Sequence, residues 1–341
     1  MAHRDVVVGG ASAGGVEALR GLVAGFPPDL PAAVLVVLHL PSSGGSALAQ
    51  VLDRAGPLPA RPAREGAPLE HGTVSVAVPD RHLLLSEGDR LTLSMGPREN
   101  GHRPAVDALF RSAAHVAGAR VIGVVLSGAL DDGAAGLVAV AARGGVPVVQ
   151  DPEEALYPSM PRSAAAALKV EHVLPAAGIG ALLGRLSVEE VPDGGVAPLP
   201  LPMRQENAMA AMDDDAIGGV EHPGSPVAMT CPDCHGPLFS IPDESLHRYR
   251  CLVGHGWSAE SLAIQQNSAV EGALWMALRS LEEKAQLART MGDRARASGH
   301  ALTGERFDER AADAHRAALL IRDLLERATL GVTDEPADGV A

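Results

Sequence analysis

From Asp5 to about Leu183 the chain repeats one pattern: a short apolar run, then a stretch with apolar positions three and four residues apart. The runs VVVGG (6–10), AVLVVLHL (33–40), VSVAVP (74–79), VIGVVLSG (121–128) and VPVVQD (146–151) are Val-rich and bounded by Gly or Pro, which predicts strands. Between them VEALRGLVAGF, SALAQVLDRA, PAVDALFRSAAHVAG and AAGLVAVAARGG carry helical spacing. Strands that are apolar throughout are buried on both faces, and strand alternating with helix predicts an α/β fold built on a doubly wound, mostly parallel sheet. Residues 82–95, HLLLSEGDRLTLSM, differ: two alternating runs around Glu-Gly-Asp predict an added antiparallel hairpin.

The pattern then changes three times. Residues 187–228 are rich in Pro, Gly and Asp without sustained periodicity, which predicts a flexible linker after a catalytic domain at 1–186. A cysteine-bearing segment at 229–260 follows. In 261–330 one face carries Leu274, Leu278, Leu281, Ala285 and Ala288, and after a Gly299–Gly304 break another carries Phe307, Ala311, Ala314, Ala318, Ile321 and Leu325. Two such helices are predicted to pair as a hairpin, ahead of a disordered tail at 331–341.

Composition narrows the classes. With 46% hydrophobic but only 2% aromatic residues over 341 positions, the core must be filled by Ala, Val and Leu. A net charge of -14 with no Lys/Arg cluster argues against a nucleic-acid or anionic membrane partner. No apolar run approaches the roughly 18 residues needed to span a bilayer, so a soluble, cytoplasmic protein is expected.

The sharpest chemical signal is Gly9-Gly10-Ala11-Ser12-Ala13-Gly14-Gly15, between the first strand and a helix. It contains G-x-S-x-G, whose small residues permit the tight strand-to-helix turn that presents a serine hydroxyl at the carboxyl edge of a sheet. The phosphate-cradling alternative lacks both G-x-G-x-x-G in register and G-K-[ST]. His39 ends the second predicted strand, so it belongs to the same sheet edge as a candidate base. The turn Ser127–Gly136 after another strand carries Asp131 and Asp132; either can cap the following helix, and either stands at the edge where a carboxylate would orient the base. Ser12 as nucleophile, His39 as base and Asp132 as orienting residue make a serine hydrolase of small esters or amides the expected function. Their order along the chain departs from the Ser, Asp, His order of the α/β hydrolases.

Taken together, GASAGG, LHLP around His39, VPDRHL (78–83), GHRPAVDALF (101–110), LSGALDDGAAG (126–136) and SMPRSA (159–164) resemble the catalytic domain of the chemotaxis protein-glutamate methylesterases, the CheB family. The resemblance runs from about Asp5 to Leu183. It implies Ser12, His39 and Asp132 as the triad, a backbone oxyanion donor at Ala13, where the family often has Thr, and substrate contacts from Arg103 and Met160. It also implies hydrolysis of glutamate methyl esters, and in some members deamidation of glutamine, on methyl-accepting chemotaxis receptors or related signalling proteins. Family members usually carry a receiver domain ahead of this one; here the first strand begins near Asp5, so control by phosphorylation of this chain is not expected.

The Cys231-Pro-Asp-Cys234 knuckle is followed, with sixteen residues between, by Cys251-Leu-Val-Gly-His255. Two tight pairs at that distance fit a tetrahedral Zn²⁺ whose four protein ligands leave no open position, hence a structural metal. His235 and His247 compete for the fourth place; His255 repeats the knuckle form. A zinc module with a helical tail reads as an interaction or regulatory unit whose partner the sequence does not name. That supplies the alternative function, an idle or redirected signalling scaffold acting through the tail.

Overall fold

The Val-rich runs pair as parallel strands because their side chains can be buried on both faces. In the computed structural model, which describes residues 2–39, 47–191, 199–213, 224–241 and 246–330, the first half runs β1 (Val6–Ala11), α1 (Gly15–Ala24), β2 (Ala33–Leu38), α2 (Leu48–Ala55), β3 (Ala60–Pro62), β4 (Val74–Val76), β5 (His82–Ser86) and β6 (Arg90–Ser94). It continues through α3 (Val106–Ala117), β7 (Val121–Val125), α4 (Ala134–Ala142), β8 (Val146–Gln150), α5 (Ser159–Ala167), β9 (His172–Leu174) and α6 (Ala176–Leu186). Seven strands form one parallel sheet in the order β3-β4-β2-β1-β7-β8-β9. Alternate residues of β1 face opposite layers: Val7 packs with Leu19, Leu52 and Ile179, and Val6 and Val8 with Leu109, Phe110 and Leu137.

The hairpin β5–β6 pairs with itself as a separate two-stranded sheet, leucines inward. Strands β3 and β9, three residues each, and helices α5 and α6 are additions to the predicted elements. Of the predicted strand at 33–40, Leu40 lies outside the described residues.

The stretch predicted as a flexible linker holds a helix, α7 (Leu201–Ala211), and this corrects the reading of 187–228. Its burial explains it. Met203 joins the layer around α3, Ala210 packs with Leu84, Ala105 and Ala108, and the carboxylate of Glu206 is buried. Asn207 Nδ2 donates to the Arg111 carbonyl at 3.3 Å. These contacts are to distant segments, so local periodicity does not announce them. Residues 192–198 and 214–223 of that stretch, and the tail at 331–341, lie outside the described residues.

The cysteine segment forms a four-stranded antiparallel sheet, β10 (Ser225–Thr230), β11 (Pro237–Ile241), β12 (Arg248–Cys251) and β13 (Gly256–Ser258). It is not a separate body: it belongs with the α/β layers to one compact unit, Met1–Leu262. A buried ion network helps hold it. Arg111 of α3 pairs bidentately with Glu99 at 2.9 and 2.7 Å, Arg250 reaches both Glu99 (3.2 Å) and Glu206 (2.9 Å), and Arg248 binds both Glu206 oxygens at 2.8 Å. The guanidinium groups of Arg248, Arg250 and Arg111 more than offset burial and hold the Glu206 carboxyl well below the usual range.

The second unit, Ala263–Ala341, holds two long helices, Ala259–Ala297 and Ala301–Leu330, the first beginning just inside the preceding unit. They turn at Gly299 (φ 81°) and pack along Leu274, Leu278 and Leu281 against Ala318, Ile321 and Leu325. Among the described residues no helix is long and apolar enough to cross a membrane.

Candidate active site

Three connections at the carboxyl end of the sheet bring three functional groups together. β1 lies between β2 and β7, so the chain departs from it in both directions, and the crevice outside such a point is where open α/β sheets place their chemistry. Ser12 follows β1, His39 follows β2, and Asp132 lies in the turn after β7. The turn bearing Ser12 is tight enough to require its glycines. Gly14 has φ 67°, and a Cβ on Gly10 or Gly15 would stand 2.1 Å from Val106 Cγ1 or 2.6 Å from Leu38 Cδ1. Ser12 N donates to the Ser127 carbonyl at 2.9 Å and Ser127 Oγ to the Ala13 carbonyl at 2.8 Å, tying this turn to the one after β7.

His39 stands between the other two groups. Its Nδ1 is 3.0 Å from Ser12 Oγ and its Nε2 2.7 Å from Asp132 Oδ2. With the Nε2 proton held by the carboxylate, the Nδ1 lone pair faces the hydroxyl. Asp132 also accepts from the backbone N–H of Val106 (2.8 Å) and Asp107 (3.1 Å), capping α3 from a distant loop. Burial alone would raise this carboxyl, but the His39 bond and charge and the Val106 N–H hold it well below the usual carboxylate range. It is an anion at neutral pH. Neighbouring Asp107, whose Oδ1 accepts from Gly133 and Gly136, is pushed well up by burial and by the Asp132 charge.

His102, which sequence reasoning passed over, stacks on His39 with ring centroids 3.7 Å apart and planes 13° from parallel. Burial, then the proximity of His39, depresses it to about 4, so it is a neutral ring at pH 7. Asn100, also passed over, places Nδ2 3.4 Å from Asp132 Oδ1.

The remaining candidates lie as follows. Arg103 is not joined to the Ser12, His39 and Asp132 group; its guanidinium donates to Asp80 Oδ1 (2.7 and 3.1 Å) and to the carbonyls of Met95 and Gly96. Met160 is fully buried and abuts Gly128, where a Cβ would lie 1.9 Å from its sulfur and 2.9 Å from Ser12 Cβ. Ala13 occupies the turn just ahead of α1. Asp131 points away from His39 toward Ser258 Oγ, 2.7 Å distant, and burial pushes it up to about 6.

In the cysteine module the donor atoms of Cys231, Cys234, Cys251 and His255 all lie within 4.8 Å of one another, a group that could hold a metal ion. Cys234 and Cys251 sulfurs are 3.6 Å apart and Cys251 Sγ is 3.4 Å from His255 Nδ1. The edges of a tetrahedron with metal–sulfur bonds of about 2.3 Å and metal–nitrogen bonds of about 2.0 Å are of this size, so the donor set fits. Donors to sulfur surround it: Trp257 Nε1 to Cys231 and the His255 N–H to Cys251. His235 and His247 are outside the group.

The geometry agrees with what the chain resembles. A family profile described as CheB methylesterase matches residues 6–183. A Methanosarcina mazei protein named protein-glutamate methylesterase/protein-glutamine glutaminase 2 is 38% identical over 179 residues, which are 50% of this chain and 49% of that protein. An Anaeromyxobacter dehalogenans protein of the same type, numbered 3, is 43% identical over 170 residues, half of each chain. The chain thus spans about half the length of these curated relatives. The crystal structure of the Thermotoga maritima CheB methylesterase catalytic domain superposes with a TM-score of 0.51 at 32% identity, covering 53% of this chain and 98% of that one. With its match extending over more than half of the sequence, the chain belongs to the CheB methylesterase family.

Proposed function

We propose that this protein is a serine hydrolase that removes methyl groups from glutamate methyl esters on chemoreceptor-like signalling proteins, and that the same site deamidates glutamine. The observation that carries the reading is the continuous chain Ser12 Oγ, His39 Nδ1, His39 Nε2, Asp132 Oδ2, with links of 3.0 and 2.7 Å. A scaffold gains nothing from a buried carboxylate aimed at an imidazole; a nucleophile needs it.

His39 Nδ1 takes the Ser12 proton as Oγ attacks the side-chain carbonyl of the substrate. The negative charge that develops on that oxygen is met by the Ala13 N–H at the start of the turn into α1. Collapse breaks the bond to methoxide, or to the amide nitrogen, and Nδ1 returns the proton so that methanol or ammonia leaves. Water then repeats the sequence on the acyl-enzyme and releases glutamate. Asp132 stays anionic throughout, fixing the ring and stabilising the imidazolium. Met160, wedged behind Gly128, shapes the wall beside Ser12, and Arg103 stiffens the rim by tying Asp80 to the Met95–Gly96 backbone.

The module's metal in this reading is Zn²⁺ in a structural role, held by Cys231, Cys234, Cys251 and His255, and it adds folding energy without touching substrate. The division of labour proposed is a catalytic α/β part, a zinc module and a helical pair that meets a partner, in a cytoplasmic protein. A fluorophosphonate probe, which reacts only with an activated serine, tests the nucleophile. Labelling of the parent chain and none of Ser12→Ala supports it; equal labelling of both contradicts it.

A further inference from the structure

The turn Glu99–His102 touches the base, the orienting carboxylate and the cysteine module at once. Asn100 (φ 52°) and Gly101 (φ 77°) occupy the two central positions, closed by Glu99 N–H to the His102 carbonyl (3.1 Å) and His102 N–H to the Glu99 carbonyl (2.8 Å). This is an Asn-Gly turn of the kind that needs two left-handed residues. Toward the active site it offers the His102 ring to His39 and the Asn100 amide nitrogen to Asp132. Toward the module it offers the rest. Asn100 N–H donates to the Gly256 carbonyl at 2.8 Å, and Asn100 Oδ1 accepts from Ser258 N–H (2.8 Å) and Ser261 Oγ (2.9 Å).

Those two bonds decide which way the amide points. An oxygen held by Ser258 of β13 and by Ser261, in the first turn of the helix that follows, leaves the NH2 on the far side, where Asp132 lies. At 3.4 Å the Asn100–Asp132 bond is long, so its value lies in direction rather than strength. Ser258 Oγ also donates to Asp131, the residue next to Asp132, so the module reaches this turn directly at Asp131 and through Asn100 at Asp132. Glu99, at the head of the turn, is anchored by Arg250 of β12 and Arg111 of α3.

We infer that the cysteine module is part of the catalytic apparatus: Asn100 is a positioning residue for Asp132, held in place by Ser258 and Ser261, so that docking of the module sets the turnover rate. The inference rests on the hydrolase reading above. It gives the module a task that its four closed metal positions do not: steadying the triad from behind, across the turn.

The test uses the full, metal-loaded chain with p-nitrophenyl acetate as substrate. Asn100→Gly keeps the left-handed turn and removes only the amide; Ser261→Ala leaves Asn100 intact and removes one of its holds; Asn100→Asp keeps the acceptor for the module but loses the donor to Asp132. The expected result is a fall in kcat of about tenfold for Asn100→Gly and Asn100→Asp and a smaller one for Ser261→Ala, with KM within about twofold and bound zinc unchanged. A merely structural Asn100 would lower the melting temperature and leave kcat of the folded fraction at the parent value, and that result overturns the inference while the hydrolase reading stands. A parent chain whose turnover does not depend on Ser12 overturns both.

Discussion

The sheet edge that carries Ser12 and the module that carries the cysteines both hold polar groups in fixed places, but with unequal means. Beneath Ser12 lie two extensive apolar layers packed against a seven-stranded sheet. The module's own cluster buries Cys231, Leu238, Cys251, Trp257 and Leu262 among the described residues, with Val227, Met229 and Tyr249 partly buried against them. A core of that size does not offset the entropy of ordering its strands, and small domains then depend on staples. Here one staple is the Arg248, Glu206, Arg250, Glu99 and Arg111 network, and the Cys3His group, holding the metal proposed above, would be the other. A large core can therefore carry a tight turn and a buried anion, whereas a small one must draw stability from its neighbour.

Asp132→Asn should lower kcat by about 10⁴-fold, because an amide NH2 facing His39 reverses the tautomer preference of the ring, and should also lower the melting temperature, because that NH2 can no longer accept from the Val106 N–H. Ester hydrolysis and circular dichroism measured on the same samples check both halves. Glu206→Gln should destabilise the first unit by about 3 kcal/mol, since it removes the buried carboxylate charge that Arg248 and Arg250 share; denaturant melts give the figure. Chelation should expose 225–258 to trypsin before the sheet becomes susceptible, and simultaneous loss of both would show that the large core does not stand alone.

Asp131 gives a pH test with a definite sign. Its folded pKa, raised to about 6 from 3.8, means that the protonated form is favoured in the fold. The stability it contributes is fully present below about pH 3.8 and is lost as pH rises through 6. Asp131→Asn, which can still accept from Ser258, should therefore raise the melting temperature at pH 7.5 and lose that advantage near pH 4. The smallest effect is expected in the helical pair, where the exposed Arg322–Glu282 bridge spans 2.7 Å: Glu282→Ala should cost under about 1 kcal/mol and vanish in high salt.

What could be read from the sequence follows the same divide. The parallel sheet was legible because each strand is a local Val-rich run, and Ser12, His39 and Asp132 could be grouped because each sits just past such a run. The Cys231 and Cys251 pairs are likewise local. Helix α7 was not legible, because Met203, Glu206 and Met209 are buried by residues far away in the chain and its start is flanked by Pro200 and Pro202. Asn100 and His102 were hidden for a related reason. The Asn-Gly pair does signal a turn, but its two sides meet groups more than 25 residues away: His39 and Asp132 on one side, and Ser258 and Ser261 on the other.

Everything proposed for this protein turns on Ser12 as the nucleophile of a glutamate methylesterase. The most direct test of that role is methanol release from a methylated receptor cytoplasmic fragment, comparing the full chain with Ser12→Ala at equal zinc content. Multiple-turnover methanol release by the parent and a loss of about 10⁵-fold or more in the variant are expected. Release at the same rate by both, or by neither, would contradict that role.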